Sequence, residues 1–94
     1  MTLSVIEGPI KMWYVYIAQA RTGRYYVGIT QNVEERIRRH NASRGSRFAI
    51  NQGPFKLVYT SIPFKSKGSA HVRELQLKGW TREKKEKLIN GEWE

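Results

Sequence analysis

Apolar and polar residues alternate twice near the start of the chain. From Trp13 to Gln19, Trp13, Val15 and Ile17 fall on one side and Tyr14, Tyr16 and Ala18 on the other, the period-two pattern of a strand. From Tyr25 to Thr30 the pattern repeats, with Tyr25, Val27 and Ile29 opposed to Tyr26, Gly28 and Thr30. Between them, Arg21-Thr22-Gly23 reads as a three-residue hairpin loop with Gly23 as its left-handed residue. That loop pairs Ala20 with Arg24, Ala18 with Tyr26 and Tyr16 with Gly28. It gathers Val15, Ile17, Val27 and Ile29 on one apolar side and leaves Tyr16 and Tyr26 as diagonal neighbours on the other. A two-residue Thr22-Gly23 turn would separate the two tyrosines onto opposite faces. Gly28 is unusual inside a strand, and its place opposite Tyr16 predicts room there for a phosphate or a water.

The pattern then changes period. Asn32 can cap a helix whose third residue is Glu35. Along Val33 to Ala42, Val33, Arg36, Ile37 and His40 share one face, and two of the four are polar. Residues 43–54 read as a loop rich in Gly, Ser and Arg. A third strand is predicted from Lys56 to Ile62, between Pro54 and Pro63. Lys67 to Gly79 reads as a second helix carrying Ala70, Val72, Leu75 and Leu77 at an untidy spacing. Thr81 caps a short last helix that ends at Asn90-Gly91. The order is β-β-α-β-α-α, and the fold class expected is α+β, a three-stranded antiparallel sheet with flanking helices. Residues 1–12 show no sustained period and read as an N-terminal extension to a single domain over 13–94.

Composition narrows the classes of function. The 94 residues suffice for one modest core, and 39% hydrophobic content with 12% aromatics is a folding composition. With no cysteine, disulfides, thiolate chemistry and Cys-ligated zinc are excluded. No apolar run approaches the ~20 residues of a membrane span, and no secretory pattern stands at the start, which points to the cytoplasm and away from a membrane. Seventeen Lys and Arg against eight acids leave a net charge of +9, which points to a polyanionic partner, DNA first, with RNA left open. There is no Asp, so a divalent-metal site must take its carboxylate from a Glu.

The layout brings Tyr16 and Tyr26 of the hairpin, Arg36 and His40 of the first helix and Glu74 of the second near one sheet face. Phosphodiester hydrolysis needs a base for water, a cation for the phosphorane charge, and usually a metal. Tyrosine, with a pKa near 10, is a poor base unless a nearby Arg or metal lowers it. Arg36 suits the electrostatic role because its planar fork fits phosphate oxygens. Each residue also has an ordinary reading. The tyrosines can be strand aromatics, Arg36 a surface charge beside Asn32 or Glu35, and His40 a helix-end residue favoured by the dipole. Glu74 with Lys78 can be a solvated helical pair.

Taken together, these residues resemble the GIY-YIG nuclease superfamily, especially its small stand-alone bacterial members. Tyr14-Val15-Tyr16 is similar to the first signature, with Tyr in place of the leading Gly, and Tyr26-Val27-Gly28 is similar to the second. ERIRRHN over 35–41 carries the family's Arg at Arg36 and its His or Tyr position at His40. RELQLKGWTREKKEKLI over 73–89 places Glu74 at the metal-binding glutamate. The resemblance covers about residues 13–90. It implies one divalent cation, Mg2+ or Mn2+, held by Glu74, and hydrolysis leaving 5′-phosphate and 3′-hydroxyl ends. It implies Tyr26 as the general base or its orienting partner, with Tyr16 hydrogen-bonding beside it, Arg36 stabilising the transition state and His40 assisting. Some larger members have an Asn in the last segment that helps the substrate phosphate; Glu86 stands near that place.

For nucleic-acid contacts the candidates are Arg39, Arg44, Arg47 and Lys67, which would give salt-dependent, sequence-tolerant affinity. Phe48 can stack on an unpaired base or pack in a core. The lysines after Thr81, interleaved with Glu83 and Glu86, read mostly as a solvated helix face. The function expected is a metal-dependent DNA endonuclease, selective for branched or single-stranded structures, in repair or recombination. The alternative is a nucleic-acid-binding module on the same fold with weak or lost catalysis. A His-Asn metal nuclease centred on His40-Asn41 fares poorly, since His71 is the only other histidine. Neither a protein partner nor a dimer has a signal in the sequence.

Overall fold

The computed structural model describes residues 11–42 and 53–92. Strands β1 (Tyr14–Gln19) and β2 (Tyr25–Thr30) form an antiparallel hairpin with Tyr16 opposite Gly28 and Ala18 opposite Tyr26. This is the register that a three-residue loop requires. The Gly23 N–H donates to the Ala20 carbonyl at 2.8 Å, and the Ala20 N–H donates to the Arg24 carbonyl at 2.8 Å. Gly23 sits at φ 95°, where a side chain would be strained.

Strand β3 (Lys56–Thr60) lies on the other side of β1, so the sheet order is β2-β1-β3 and β2 is an edge. The strand predicted to reach Ile62 stops at Thr60 because a side chain takes over half of the ladder at Ser61, whose N–H still donates to the Val15 carbonyl at 2.8 Å. Ser61 Oγ accepts the Val15 N–H at 2.9 Å and donates to the Ile62 carbonyl at 2.7 Å. Pairing resumes once, between Trp13 and Phe64.

Among the described residues three helices complete the predicted β-β-α-β-α-α order: α1 (Val33–Ala42), α2 (Lys67–Lys78) and α3 (Arg82–Ile89). Each begins at a polar cap that satisfies an otherwise orphan backbone donor. Asn32 Oδ1 accepts the Glu35 N–H at 3.0 Å, Ser66 Oγ the Ser69 N–H at 3.1 Å, and Thr81 Oγ1 the Lys84 N–H at 3.2 Å. Among the described residues no helix is long and apolar enough to cross a membrane.

The sheet separates two packed layers. On one face Val15 and Ile17 pack with Ala70, Leu77 and Leu88 of α2 and α3, all at most 2% exposed. Burying a side chain such as Leu77 contributes about 1.5–3 kcal/mol. On the other face Tyr16, Ala18, Ala20 and Phe55 pack with Tyr26, Val33, Ile37 and Leu57. The untidy spacing in α2 resolves here. Ala70, Glu74 and Leu77 form the i, i+4, i+7 stripe that faces inward, while Val72 and Leu75, the other two apolar residues named on this helix, are 58% and 55% exposed. A carboxylate occupies the middle of the buried stripe, which displaces the apolar pattern from its usual rhythm.

Candidate active site

Gly28 acts through the side chain opposite it. A Cβ built on Gly28 would lie 2.6 Å from Tyr16 Oη and 2.8 Å from its Cζ, so the Tyr16 phenol lies directly across the glycine. The space predicted for a phosphate or water is therefore filled by Tyr16 itself. The absent side chain lets the phenol cross the edge strand.

The Tyr16 hydroxyl meets His40 from α1, with Oη 3.4 Å from Nε2. His40 is held from behind. Asn41 Nδ2 donates to the Phe55 carbonyl at 3.1 Å and Asn41 Oδ1 accepts the Phe55 N–H at 2.6 Å, which ties the end of α1 to the start of β3. The buried Phe55 ring then stands 5.4 Å from the His40 ring and 5.7 Å, edge-on, from that of Tyr26. Tyr16, Tyr26, His40 and Phe55 line one cavity of about 180 Å³ with Ala18 and Val27. Asn41 is thus a structural clamp, and Phe55, which no periodic pattern marks, is the floor of the site.

Electrostatics distinguish the members. Burial raises the Tyr16 pKa above 10.0, although Arg36 pulls the other way. The lowering by Arg that the sequence reading looked for is present but loses to desolvation, so the phenol stays protonated at neutral pH. Burial, with the Arg36 charge adding to it, pushes His40 below its ordinary 6.5, so the imidazole is neutral and can accept a proton. Arg36 makes no side-chain bond to Asn32 or Glu35. Its Nε is buried and has no hydrogen-bond partner, a costly state that an incoming acceptor would relieve.

Glu74 lies in the opposite layer and acts on this group through its charge. Its helix stripe packs with Val15 and Ile17, on the face away from Tyr16, which corrects the expectation of one shared face. Its charge is still felt at Tyr16, where it favours the neutral phenol, while that of Lys78 opposes it. Glu74 is only 8% exposed, so in the predicted Lys78 pair the carboxylate is buried while the ammonium is half exposed. Lys78 Nζ lies 3.0 Å from Oε2 and His71 Nδ1 2.9 Å from Oε1. Burial opposes ionisation of Glu74, but these two partners together bring its pKa below the usual 4.5. His71 and Lys78 are visible at i−3 and i+4, yet only the burial of Glu74 gives them weight. Among the described residues no group of three or more His, Asp or Glu could enclose a metal. One ionised carboxylate nonetheless fits Mg2+ or Mn2+, cations that keep several waters and take only one or two protein carboxylates. Glu86 is engaged elsewhere, accepting from Arg82 Nε and from the Tyr25 hydroxyl, both at 3.2 Å.

The predicted binding cations are spread more widely. Arg39 is exposed and makes a 3.4 Å ion pair with Glu35, which is worth little at such exposure. Lys67 Nζ stands 5.4 Å over the Trp13 ring. Arg44, Arg47 and Phe48 lie outside the described residues.

Three comparisons bear on this geometry. The family profile described as the GIY-YIG catalytic domain matches residues 12–87. UPF0213 protein BH0048 of Halalkalibacterium halodurans is 39% identical over 77 residues, covering 82% of this chain and 81% of that one. UPF0213 protein SH2523 of Staphylococcus haemolyticus is 41% identical over 76 residues, covering 81% and 92%. The solution NMR structure of UPF0213 protein BH0048 from Bacillus halodurans superposes with a TM-score of 0.53 at 38% identity, covering 84% of this chain and 83% of that one. That match accords with the α+β architecture described above.

Proposed function

The chain belongs to the GIY-YIG catalytic domain family, and from that premise we propose that it is a DNA endonuclease that hydrolyses single phosphodiester bonds in branched or single-stranded substrates met in repair or recombination. The family is one of nucleases that generally use a divalent metal. The observation that carries the reading is a protonated Tyr16 within reach of a neutral His40, beside the unpartnered Arg36 Nε.

In the proposed reaction a water attacks phosphorus and passes its proton to Tyr16 Oη, while the Tyr16 proton moves to His40 Nε2. No free phenolate forms, so the high Tyr16 pKa is no obstacle. The 3.4 Å separation is long for such a transfer, as is usual before substrate is bound, and tightens on binding. Arg36 donates to a non-bridging oxygen as charge grows on it. Tyr26, on the same cavity wall, orients the water. The leaving 3′-oxygen takes a proton from solvent, giving 3′-hydroxyl and 5′-phosphate ends. Glu74 would hold Mg2+ or Mn2+, which when bound supplies positive charge at the phosphoryl oxygens.

A binding-only reading draws on one observation, the occupation of both Glu74 oxygens by Lys78 and His71. Both readings meet the same assay: labelled single-stranded, duplex, flap and four-way-junction DNA with Mg2+, Mn2+ or EDTA. The nuclease reading expects metal-dependent cutting that Glu74→Ala and Tyr26→Phe abolish while binding persists. No cutting of any substrate, or undiminished cutting in both variants, rejects it.

A further inference from the structure

A second concavity of about 250 Å³ is lined by Trp13, Thr30, Glu35 and Arg39 as well as by Arg36, whose charge also acts on Tyr16 and His40. We propose that this groove binds the unpaired nucleotide next to the scissile phosphate, with its base stacked on Trp13 and its phosphate between Arg36 and Arg39. The inference rests on the nuclease reading for the position of the scissile phosphate, but its binding test does not.

The groove offers the three things a nucleotide presents. Trp13 is a partly buried aromatic whose backbone is bridged to Phe64 and whose side chain packs at the margin of the core cluster of Val15 and Ile17, which holds its ring in place before any ligand arrives. Arg36 and Arg39 supply cations one helical turn apart, and Arg36 lines this groove while acting on Tyr16 and His40. A strand whose phosphate sits at Arg36 in the site therefore lays its neighbour along the groove. Thr30 and Glu35 line the wall; the Thr30 hydroxyl is held by Asn32, whose N–H it accepts at 3.2 Å and to whose carbonyl it donates at 3.3 Å, so the Glu35 carboxylate is the acceptor that can meet an N–H of a base. Glu35 also pairs with Arg39 at 3.4 Å, so it offsets one cation. Lys67 adds another over the Trp13 ring. The net field still favours an anion.

Lys67 already occupies space above Trp13, and magnitude decides which occupant wins. An exposed cation–π contact favours binding by about 2- to 5-fold. A base stacked on an aromatic favours it by roughly 5- to 150-fold. The base displaces the lysine, which can swing to the phosphate. Base pairing decides the substrate. In a duplex each base face is covered by its neighbours, so a free face exists only where the strand is unpaired.

The test measures binding in EDTA, where cleavage plays no part. Fluorescein-labelled oligo-dT and a hairpin duplex of equal charge are titrated by anisotropy against the full chain, Trp13→Leu and Trp13→Phe. Trp13→Leu is expected to weaken oligo-dT at least about fivefold and the duplex less than about twofold, with Trp13→Phe close to the parent. Equal losses on both ligands, or no loss, overturn the proposal. If Trp13→Leu does not fold, the Trp80→Phe, Trp93→Phe double variant leaves Trp13 as the only indole, and oligo-dT must quench its emission; no quenching overturns it equally. Selective binding through Trp13 without cutting of any substrate would reject the nuclease reading alone. Cutting without a Trp13 effect on binding would reject the groove alone.

Discussion

The two faces of the sheet carry different kinds of side chain. The face under α2 and α3 is closed around a fully buried aliphatic centre, Val15, Ile17, Ala70 and Leu77 all at 0% exposure, with Trp13, Tyr25, Phe64 and Trp80 packed around its margin. The face under α1 is aromatic and open, with no buried residue on the helix itself and a cavity between Tyr16, Tyr26, His40 and Phe55. One strand serves both, because consecutive residues of β1 point to opposite sides. A small domain thus separates stability from chemistry by a single residue step. The separation is broken at one point, Glu74, the charge set into the aliphatic layer.

Neighbouring substitutions on β1 test that division most severely. Tyr16→Phe keeps the ring and removes the hydroxyl, so cleavage should fall about 10²–10⁴-fold. Its stability cost should stay near 0.5–1.5 kcal/mol for the lost hydrogen bond. Ile17→Ala should do the reverse, costing about 2–5 kcal/mol while the molecules that remain folded keep their specific activity. Denaturant melts and single-turnover cleavage read the two quantities separately. Tyr16→Phe cutting within tenfold of the parent would remove the proton relay. A smaller effect on stability comes from Gly28→Val, whose side chain collides with the Tyr16 phenol. Cleavage should be lost with it, at about 1–3 kcal/mol of stability. Gly68→Ala is its control, because nothing lies within 4 Å of a Cβ there, and it should stabilise α2 by up to about 1 kcal/mol.

The site was legible where a local rule had one solution. The alternation of Tyr14 to Gln19 and the position of Gly23 leave a single register that keeps four aliphatic residues together, and that register puts Tyr16 over Gly28. The purpose of the glycine was not legible, because period-two patterns say which residues face each other and not which way a ring lies. The layer of Glu74 was hidden for a different reason. A buried glutamate counts as polar in any periodic reading, so the inward stripe of Ala70, Glu74 and Leu77 is masked by Val72 and Leu75, which are apolar and outside. Phe55 and Asn41 belong to no period at all. Their clamp spans fourteen residues between the end of α1 and the edge of β3, and only the folded chain brings them together.

The exception in the aliphatic layer should respond to metal. Lys78→Met leaves the Glu74 carboxylate with one partner, His71, in a site only about a tenth exposed. Removing a partner from a buried charge costs several kcal/mol, but Lys78 is itself half exposed, so about 1–2 kcal/mol is expected. The melting temperature in EDTA should fall and be restored by Mn2+, to a greater extent than Mn2+ raises that of the parent. An unchanged melting temperature in EDTA would mean that Lys78 does not compensate Glu74. A loss that Mn2+ fails to restore would argue against Glu74 as the cation's ligand.

The smallest effect belongs to the open face and depends on pH. His40 has a folded pKa below its ordinary 6.5, first through burial and then through the charge of Arg36. In the window between those two values the unfolded chain binds more protons, so stability rises with pH. The contribution is complete above about pH 6.5 and is lost as pH falls toward the folded value. His40 is only partly buried, so solvent screening keeps the loss below about 1 kcal/mol. Cleavage should fall through the same window, because protonated His40 cannot take the proton of Tyr16. His40→Asn removes the titrating group, so its melting temperature should vary less steeply with pH than that of the parent between about pH 6.5 and 5. Parallel melting curves for the two proteins would show that His40 is not held neutral by its surroundings. The open face would then owe its acid sensitivity to another group, and the proton path through Tyr16 would lose its acceptor.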